Sequence, residues 1–358
     1  MITIKDIAKE AQVSEGTVDR VLHNRGGVSK RTEAKIKDIL KKHNYSINPV
    51  ASALASKNKY TIAVLIPEHS DSDIFWKSPY MGILKASNEF NSFGIQVTVY
   101  RFDQYDSSSY TSKFKSMLQS NPSMALIVPL FINETKFMIT ELEDSNIPYV
   151  FMNIDLEGFN NIAFTGQDAY TAGYIAAKLM HSGGQSDAKY LIVYSEHNLT
   201  VNNTVLRRIK GFKDYFESQE LYDAPLSLRV DDFSHMDATA DTVNTFLSDH
   251  PSIHGIFVPS SRINRIVDCI DPLVLKKYKL IGFDNTPPNI ACLENETVSF
   301  LISQKPFDQG YESIQLMADY LIKKKIPHGK IYLPIDILTK ENVRYNDRNA
   351  LQFEVEHL

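Results

Sequence analysis

"TIKDIAKEAQVSEGTVDRVL", Thr3 to Leu22, contains two short helical patterns divided by a polar break. Ile4, Ile7, Ala8 and Ala11 recur at helical spacing as one apolar stripe, and Thr3 stands where an N-cap belongs. Ser14 is placed in the same way before a second pattern, Glu15 to Leu22. There Val18, Val21 and Leu22 turn inward, leaving Glu15, Gly16, Asp19 and Arg20 outward. Two short helices joined by a tight turn form a helix-turn-helix, whose second helix enters the major groove of DNA. A third pattern follows Ser29, with Ile36, Ile39 and Leu40 on one face and Lys35, Lys37, Lys41 and Lys42 around it. Between the second and third patterns, "NRGG" (Asn24 to Gly27) supplies an arginine and flexible backbone amides suited to phosphate.

Charge supports that reading. Residues 1–60 carry 12 Lys/Arg against 6 Asp/Glu, whereas the other 298 carry 26 against 37. A small basic head on a large acidic body indicates that the head alone meets a polyanion.

The first 55 residues resemble the headpiece of the lactose/galactose-repressor family of bacterial transcription factors. "TIKDIAKEA", "VS--TV-RVL", "VS--T", Tyr45, Asn48 and the Ala51–Leu54 pair carry the resemblance in the family's order and spacing. It implies a DNA-facing set of Thr3, Glu15, Gly16, Thr17, Arg20, Asn24, Arg25, Ser29, Tyr45, Asn48 and Leu54. Glu15 and Gly16 fall where the family reads base edges. Arg20 is suited to a bidentate pair with guanine, and Leu54 matches the leucine wedged into the minor groove. The departures are specific: Gly16 offers no side chain, Asp19 stands where the family has Ser, and Pro49 is shifted in the hinge. The hinge segment 47–59 is too short and polar to be a stable isolated helix, so folding on paired half-sites is expected of it.

From Tyr60 the pattern changes. "YTIAVLIP" is the continuous apolar run of a strand buried on both faces, and helical and strand patterns then alternate in two series. Alternation of this kind argues for parallel sheets covered by helices. The body resembles that shared by the same family and periplasmic sugar-binding proteins, through "FW" at Phe75, "GQDAYTAG", "RIKGF", "IFVPSSR", "IGFD" and "ISQKPFDQGY". The expected architecture is therefore an all-α headpiece (1–46), a hinge (47–59), and a two-lobed α/β core of the type I periplasmic-binding-protein class (60–342). Lobe 1 is expected at 60–161 and 293–325, and lobe 2 at 162–292 and 326–342, with crossings near Asn161, Cys292 and Lys325. Residues 343–358 read as a tail.

Open parallel sheets bind ligands at the carboxyl ends of their strands. The effector contacts expected there are Phe75, Trp76, Asn153, Asp155, Asp168, Arg208, Ser260, Arg262, Asp284 and Gln304. Phe75 and Trp76 are suited to a sugar face or to core packing. Asp168 is also placed to cap the helix after it. Arg208, three residues before Gly211, matches the family's ligand-gripping arginine, and its five donors suit hydroxyls or a carboxylate. Ser260 and Ser261 replace the family's usual Asn-Asp pair.

Two cysteines, Cys269 and Cys292, offer neither a disulfide framework nor a Cys-rich zinc site. Absence of an apolar leader and of any eighteen-residue apolar run leads us to expect a cytoplasmic protein with no membrane partner. No nucleophile elbow, phosphate loop or zinc-protease spacing occurs, so neither an enzyme nor a bound cofactor is expected. The expected partners are double-stranded operator DNA, a small effector (a sugar or polyol first) and a second copy of the chain, with a homodimer favoured over a tetramer. The alternatives are a ligand-dependent activator and a transport-type sugar-binding protein.

Overall fold

Three helices, α1 (Ile4–Ala11), α2 (Glu15–Leu22) and α3 (Lys30–Lys42), enclose a small apolar core in the computed structural model of the chain. The structure describes residues 2–22, 26–43, 45, 59–70, 74–182, 188–195, 203–219, 224–230 and 235–345. They fall into two units, Met1–Asn58 and Lys59–Leu358. In the first, Ile7, Ala8, Ala11, Val18, Val21, Ile36 and Ile39 are buried together. Thr3 accepts from the Asp6 amide at 3.3 Å while the Asp6 carboxylate accepts from the Thr3 amide at 3.0 Å, closing a capping box. Ser14 and Ser29 accept from the amides of Thr17 and Thr32, each at 3.2 Å. Each such cap is worth about 1 kcal/mol, a sizeable share for helices with so little to bury. Lys42 and His43 both reach Glu10 at 2.8 Å, tying the end of α3 to α1.

The second unit is built on two six-stranded sheets. The first contains β1 (Tyr60–Pro67), β2 (Ile95–Phe102), β3 (Met124–Ile127), β4 (Tyr149–Met152), β5 (Ala163–Gly166) and β11 (Lys330–Tyr332), in the order β11-β5-β4-β3-β1-β2. The second contains β6 (Lys189–Ser195), β7 (Leu226–Val230), β8 (Ile253–Phe257), β9 (Lys279–Phe283), β10 (Phe300–Ser303) and β12 (Asp336–Leu338), in the order β12-β10-β9-β8-β6-β7. Every pairing is parallel except β10 with β12. Helices α4 (Lys77–Asn91), α5 (Ser107–Gln119), α6 (Ile132–Asp144) and α13 (Pro306–Lys323) serve the first lobe. The second takes α7 (Ala169–His181), α8 (Asn203–Ser218), α9 (Met236–Asp249), α10 (Ile263–Cys269), α11 (Pro272–Leu275) and α12 (Pro287–Glu294).

The crossings differ from those expected. β5 belongs to the first sheet, so the chain leaves lobe 1 at Gln167 rather than at Asn161. β10 pairs with β9, so the return lies at Gln304 and Lys305 rather than at Cys292, which sits in α12. β11 pairs with β5, placing the last crossing at residues 333–335 rather than at Lys325. The reason is geometric. Parallel strands of both sheets direct their carboxyl ends at the cleft, so the chain crosses where a strand ends. Val343, assigned to the tail, is buried in the lobe 2 core.

Candidate functional site

Backbone geometry prepares the cleft before any side chain is considered. Asn153, just past β4, and Asp284, just past β9, have φ of 70° and 66°. That left-handed region is one Asn and Asp tolerate better than most residues, and such backbone collects at functional sites. Both side chains are thereby turned off the ends of their strands and are buried.

Arg208 arrives from the other side. Helices α7 and α8 approach so closely that a Cβ on Gly173 would meet the Arg208 carbonyl oxygen at 2.0 Å, and one on Gly211 would meet that of Tyr170 at 2.0 Å. This reciprocal glycine contact sets the height of Arg208, which is only 3% exposed. Its Nη1 donates to the Pro259 carbonyl at 3.0 Å, and its guanidinium carbon lies 3.6 Å from the centre of the Phe283 ring. Burial pulls its pKa down to about 10 against the opposing pull of Asp284. Burial likewise pushes the Asp284 carboxyl up to about 6, although Arg208 and a hydrogen bond from Gln304 favour its charge.

A chain of amides joins these groups across the crossings. Gln304 Nε2 donates to Asp284 Oδ2 at 3.0 Å, and Asn153 Nδ2 donates to Gln304 Oε1 at 3.1 Å and to Gln309 Oε1 at 3.0 Å. Gln167 Nε2 donates to the Ser303 carbonyl at 2.9 Å, lacing the first crossing to the second. Five buried atoms of this cluster have no hydrogen-bond partner among the described residues: Arg208 Nε and Nη2, Asp284 Oδ1, Gln167 Oε1 and Ser260 Oγ. Buried polar groups are satisfied as a rule, so these five are the atoms of the cluster whose hydrogen-bonding capacity stays open. Phe75 closes the same region from lobe 1, sharing a recess with Ile74, Ser78, Asp284, Asn285, Thr286 and Pro306.

The other four expected contacts have partners of their own. Trp76 packs in the lobe 1 core, edge-on to Phe75, and its indole N–H donates to Gln104 Oε1 at 3.2 Å. Asp168 is the N-cap of α7, the second role its position offers; its carboxylate accepts from the amide and hydroxyl of Thr171 at 3.2 and 2.7 Å. Asp155 is also engaged, with Lys330 and Arg207 on one oxygen at 2.6 and 3.2 Å. Arg262 reaches across the cleft to the Tyr105 hydroxyl at 2.6 Å. Gln167, Gln309 and Asn285 were not anticipated, although Gln167 stands beside Asp168 in "GQDAYTAG" and Asn285 beside Asp284 in "IGFDN".

In the first unit, Glu15, Gly16 and Arg20 are exposed on α2, with Thr17 and Asp19 half-buried. Gly26 and Gly27 follow with φ of 65° and 75°, and a Cβ on Gly27 would meet Arg20 Nη1 at 3.4 Å. Only glycine makes two successive left-handed steps without strain, so this turn stays close beneath Arg20. Thr3 and Ser29 are occupied in their caps, and Tyr45 packs partly against the core. Asn24, Arg25, Asn48 and Leu54 lie outside the described residues. Among the described residues no helix is long and apolar enough to cross a membrane.

Residues 3–48 match the bacterial regulatory proteins of the lacI family, and residues 62–325 match the periplasmic binding protein domain. A ribose operon repressor from Halalkalibacterium halodurans is 26% identical over 98% of this chain and 100% of its own length. Catabolite control protein A from Priestia megaterium is 24% identical over 96% of this chain and 99% of its own. A crystal structure described as a LacI transcriptional regulator from Bacteroides fragilis superposes with a TM-score of 0.73 at 28% identity. It spans 80% of this chain and 99% of that one.

Proposed function

The chain belongs to the lacI family of bacterial regulatory proteins with a periplasmic-binding-protein core, and from that premise we propose that it is a repressor released from its operator by a neutral sugar or polyol. The observation that carries the ligand class is the balance of the five unpartnered atoms. Two are guanidinium donors, two are carboxylate or amide acceptors, and one is a hydroxyl that does either. A hydroxyl both donates and accepts, so adjacent hydroxyls on one molecule match the whole set. Arg208 and Asp284 cancel in charge, which favours a neutral ligand over a carboxylate or phosphate.

Coupling follows from differential affinity. A ligand that contacts both lobes favours the arrangement in which they meet, and shifts DNA affinity only as far as it prefers that arrangement. The exposed α2 face reads the groove in the cytoplasm, with two copies on a near-palindromic site. Thermal-shift screening of the full chain against pentoses, hexoses, linear and cyclic polyols, nucleosides and dicarboxylates tests the ligand class. The name of the relative from Halalkalibacterium halodurans puts ribose first in that panel. Stabilisation by a neutral polyol alone supports the reading; stabilisation only by an anion or a nucleoside defeats it.

A further inference from the structure

Asp155 is held by ion pairs and is among the least exposed carboxylates of the described residues, with a side chain only 7% accessible. One of its oxygens accepts from two cations of different origin. Lys330, at 2.6 Å, begins β11 and belongs with Asp155 to lobe 1. Arg207, at 3.2 Å, sits on α8 in lobe 2, next in sequence to Arg208. One turn of α8 therefore holds a cleft residue and a cross-lobe ion pair, and neither can move relative to lobe 1 without the other.

We infer that Asp155 is a positioning residue that clasps α8 to lobe 1 through Arg207 and thereby sets how far the lobes stand closed before any ligand arrives. Lys330 gives the carboxylate a standing partner, and Asp155 in turn raises the Lys330 pKa above its ordinary value. Breaking a buried pair is costly chiefly because one charge is left alone. Here the carboxylate keeps Lys330 when Arg207 leaves, so the cross-lobe bond opens without stranding a charge. That is the behaviour of a releasable clasp. If closed lobes are the binding-competent form, the clasp also scales apparent ligand affinity by the fraction of closed molecules.

This second consequence rests on the proposed ligand reading, but the clasp itself is tested without sugar. Spin labels at Lys115→Cys on α5 and Asp249→Cys on α9, in a Cys292→Ser full-length background, report lobe separation by pulsed dipolar spectroscopy. Arg207→Gln and Asp155→Asn are expected to move the distribution to longer distances, and the double variant is expected to match either single one. Lys330→Gln is expected to leave the distribution at the wild-type distance, because it removes only the partner from the same lobe. An unchanged distribution in Arg207→Gln, whose side chain is 31% exposed, overturns the proposal. So does an equal shift in Lys330→Gln, which would mean that the cluster supports folding in general. Neither result bears on whether a sugar occupies the cleft.

Discussion

The guanidinium carbon of Arg208 lies 3.6 Å from the centre of the Phe283 ring, and one of its nitrogens is fixed by the Pro259 carbonyl. A ring face and a carbonyl hold the cation in place while leaving Nε and Nη2 without hydrogen-bond partners among the described residues. No carboxylate hydrogen-bonds to it among the described residues, so a ligand does not have to displace an ion pair. Arg208→Lys should keep a positive charge but lose the planar fork. Hydrogen bonds to charged groups are worth about 1.5–3 kcal/mol, so the sugar found by thermal shift should bind roughly ten- to a hundredfold more weakly. Calorimetric titration checks this, and DNA affinity without sugar should stay at the wild-type value.

A pH dependence follows from Asp284. Its carboxyl titrates near 6 in the folded chain against an ordinary 3.8, so between those values the folded form holds more proton than the unfolded one. Its contribution to stability is therefore greatest below pH 3.8 and declines as pH rises towards 6. Ligand binding runs the other way, because a hydroxyl donating to Oδ1 needs the ionised carboxylate. Sugar affinity should be flat above pH 7 and fall as pH drops through 6, and Asp284→Asn should remove that slope. An equally steep slope in Asp284→Asn would assign the titration to another group.

Gly173 offers a test of how the cleft is positioned. A methyl group there would meet the Arg208 carbonyl oxygen at 2.0 Å, so α8 must move. Overpacking of this kind costs typically 1–3 kcal/mol. Gly173→Ala should lower the midpoint of chemical unfolding of the second unit and weaken sugar binding together. Loss of stability with sugar affinity intact would show that α8 does not set Arg208.

On the DNA side, Arg20→Ala should cost roughly 1–3 kcal/mol at the preferred sequence if the arginine reads a guanine. The preferred sequence is obtained by selecting duplexes from a random pool with the full chain. Non-specific binding should weaken far less than specific binding, and both should fall steeply with salt as phosphate contacts release counterions.

Much of this was legible in the sequence, for identifiable reasons. Thr3, Ser14 and Ser29 cap the helices they precede, because a hydroxyl at the start of an apolar stripe has few other local uses. β1, β9 and β10 show as continuous apolar runs because both faces are covered. β5, "AFTG", did not show: four residues ending in threonine and glycine look like a loop, and its strand character comes from pairing with β4 and β11. That one omission displaced the first crossing. At the candidate site, spacing and motif single out Arg208 and Asp284, both of which are buried there. The ion pairs of Asp155 were not legible because its partners lie 52 and 175 residues away. Gln167 was missed because a glutamine beside a good capping aspartate carries no signal until the two crossings are brought together.

In the proposed mechanism, occupancy of the cleft, sensed by Arg208 and Asp284, controls the grip on DNA. Fluorescence anisotropy of the selected duplex measures this, with full-length wild type and Asp284→Ala titrated in parallel with the sugar that stabilises the wild type. Both proteins should bind DNA equally without sugar. The wild type should then release it, and Asp284→Ala only at roughly ten- to a hundredfold higher sugar concentration. Release of both proteins at the same sugar concentration, or no release of the wild type by a sugar that stabilises it, would show that these two residues do not couple the cleft to DNA.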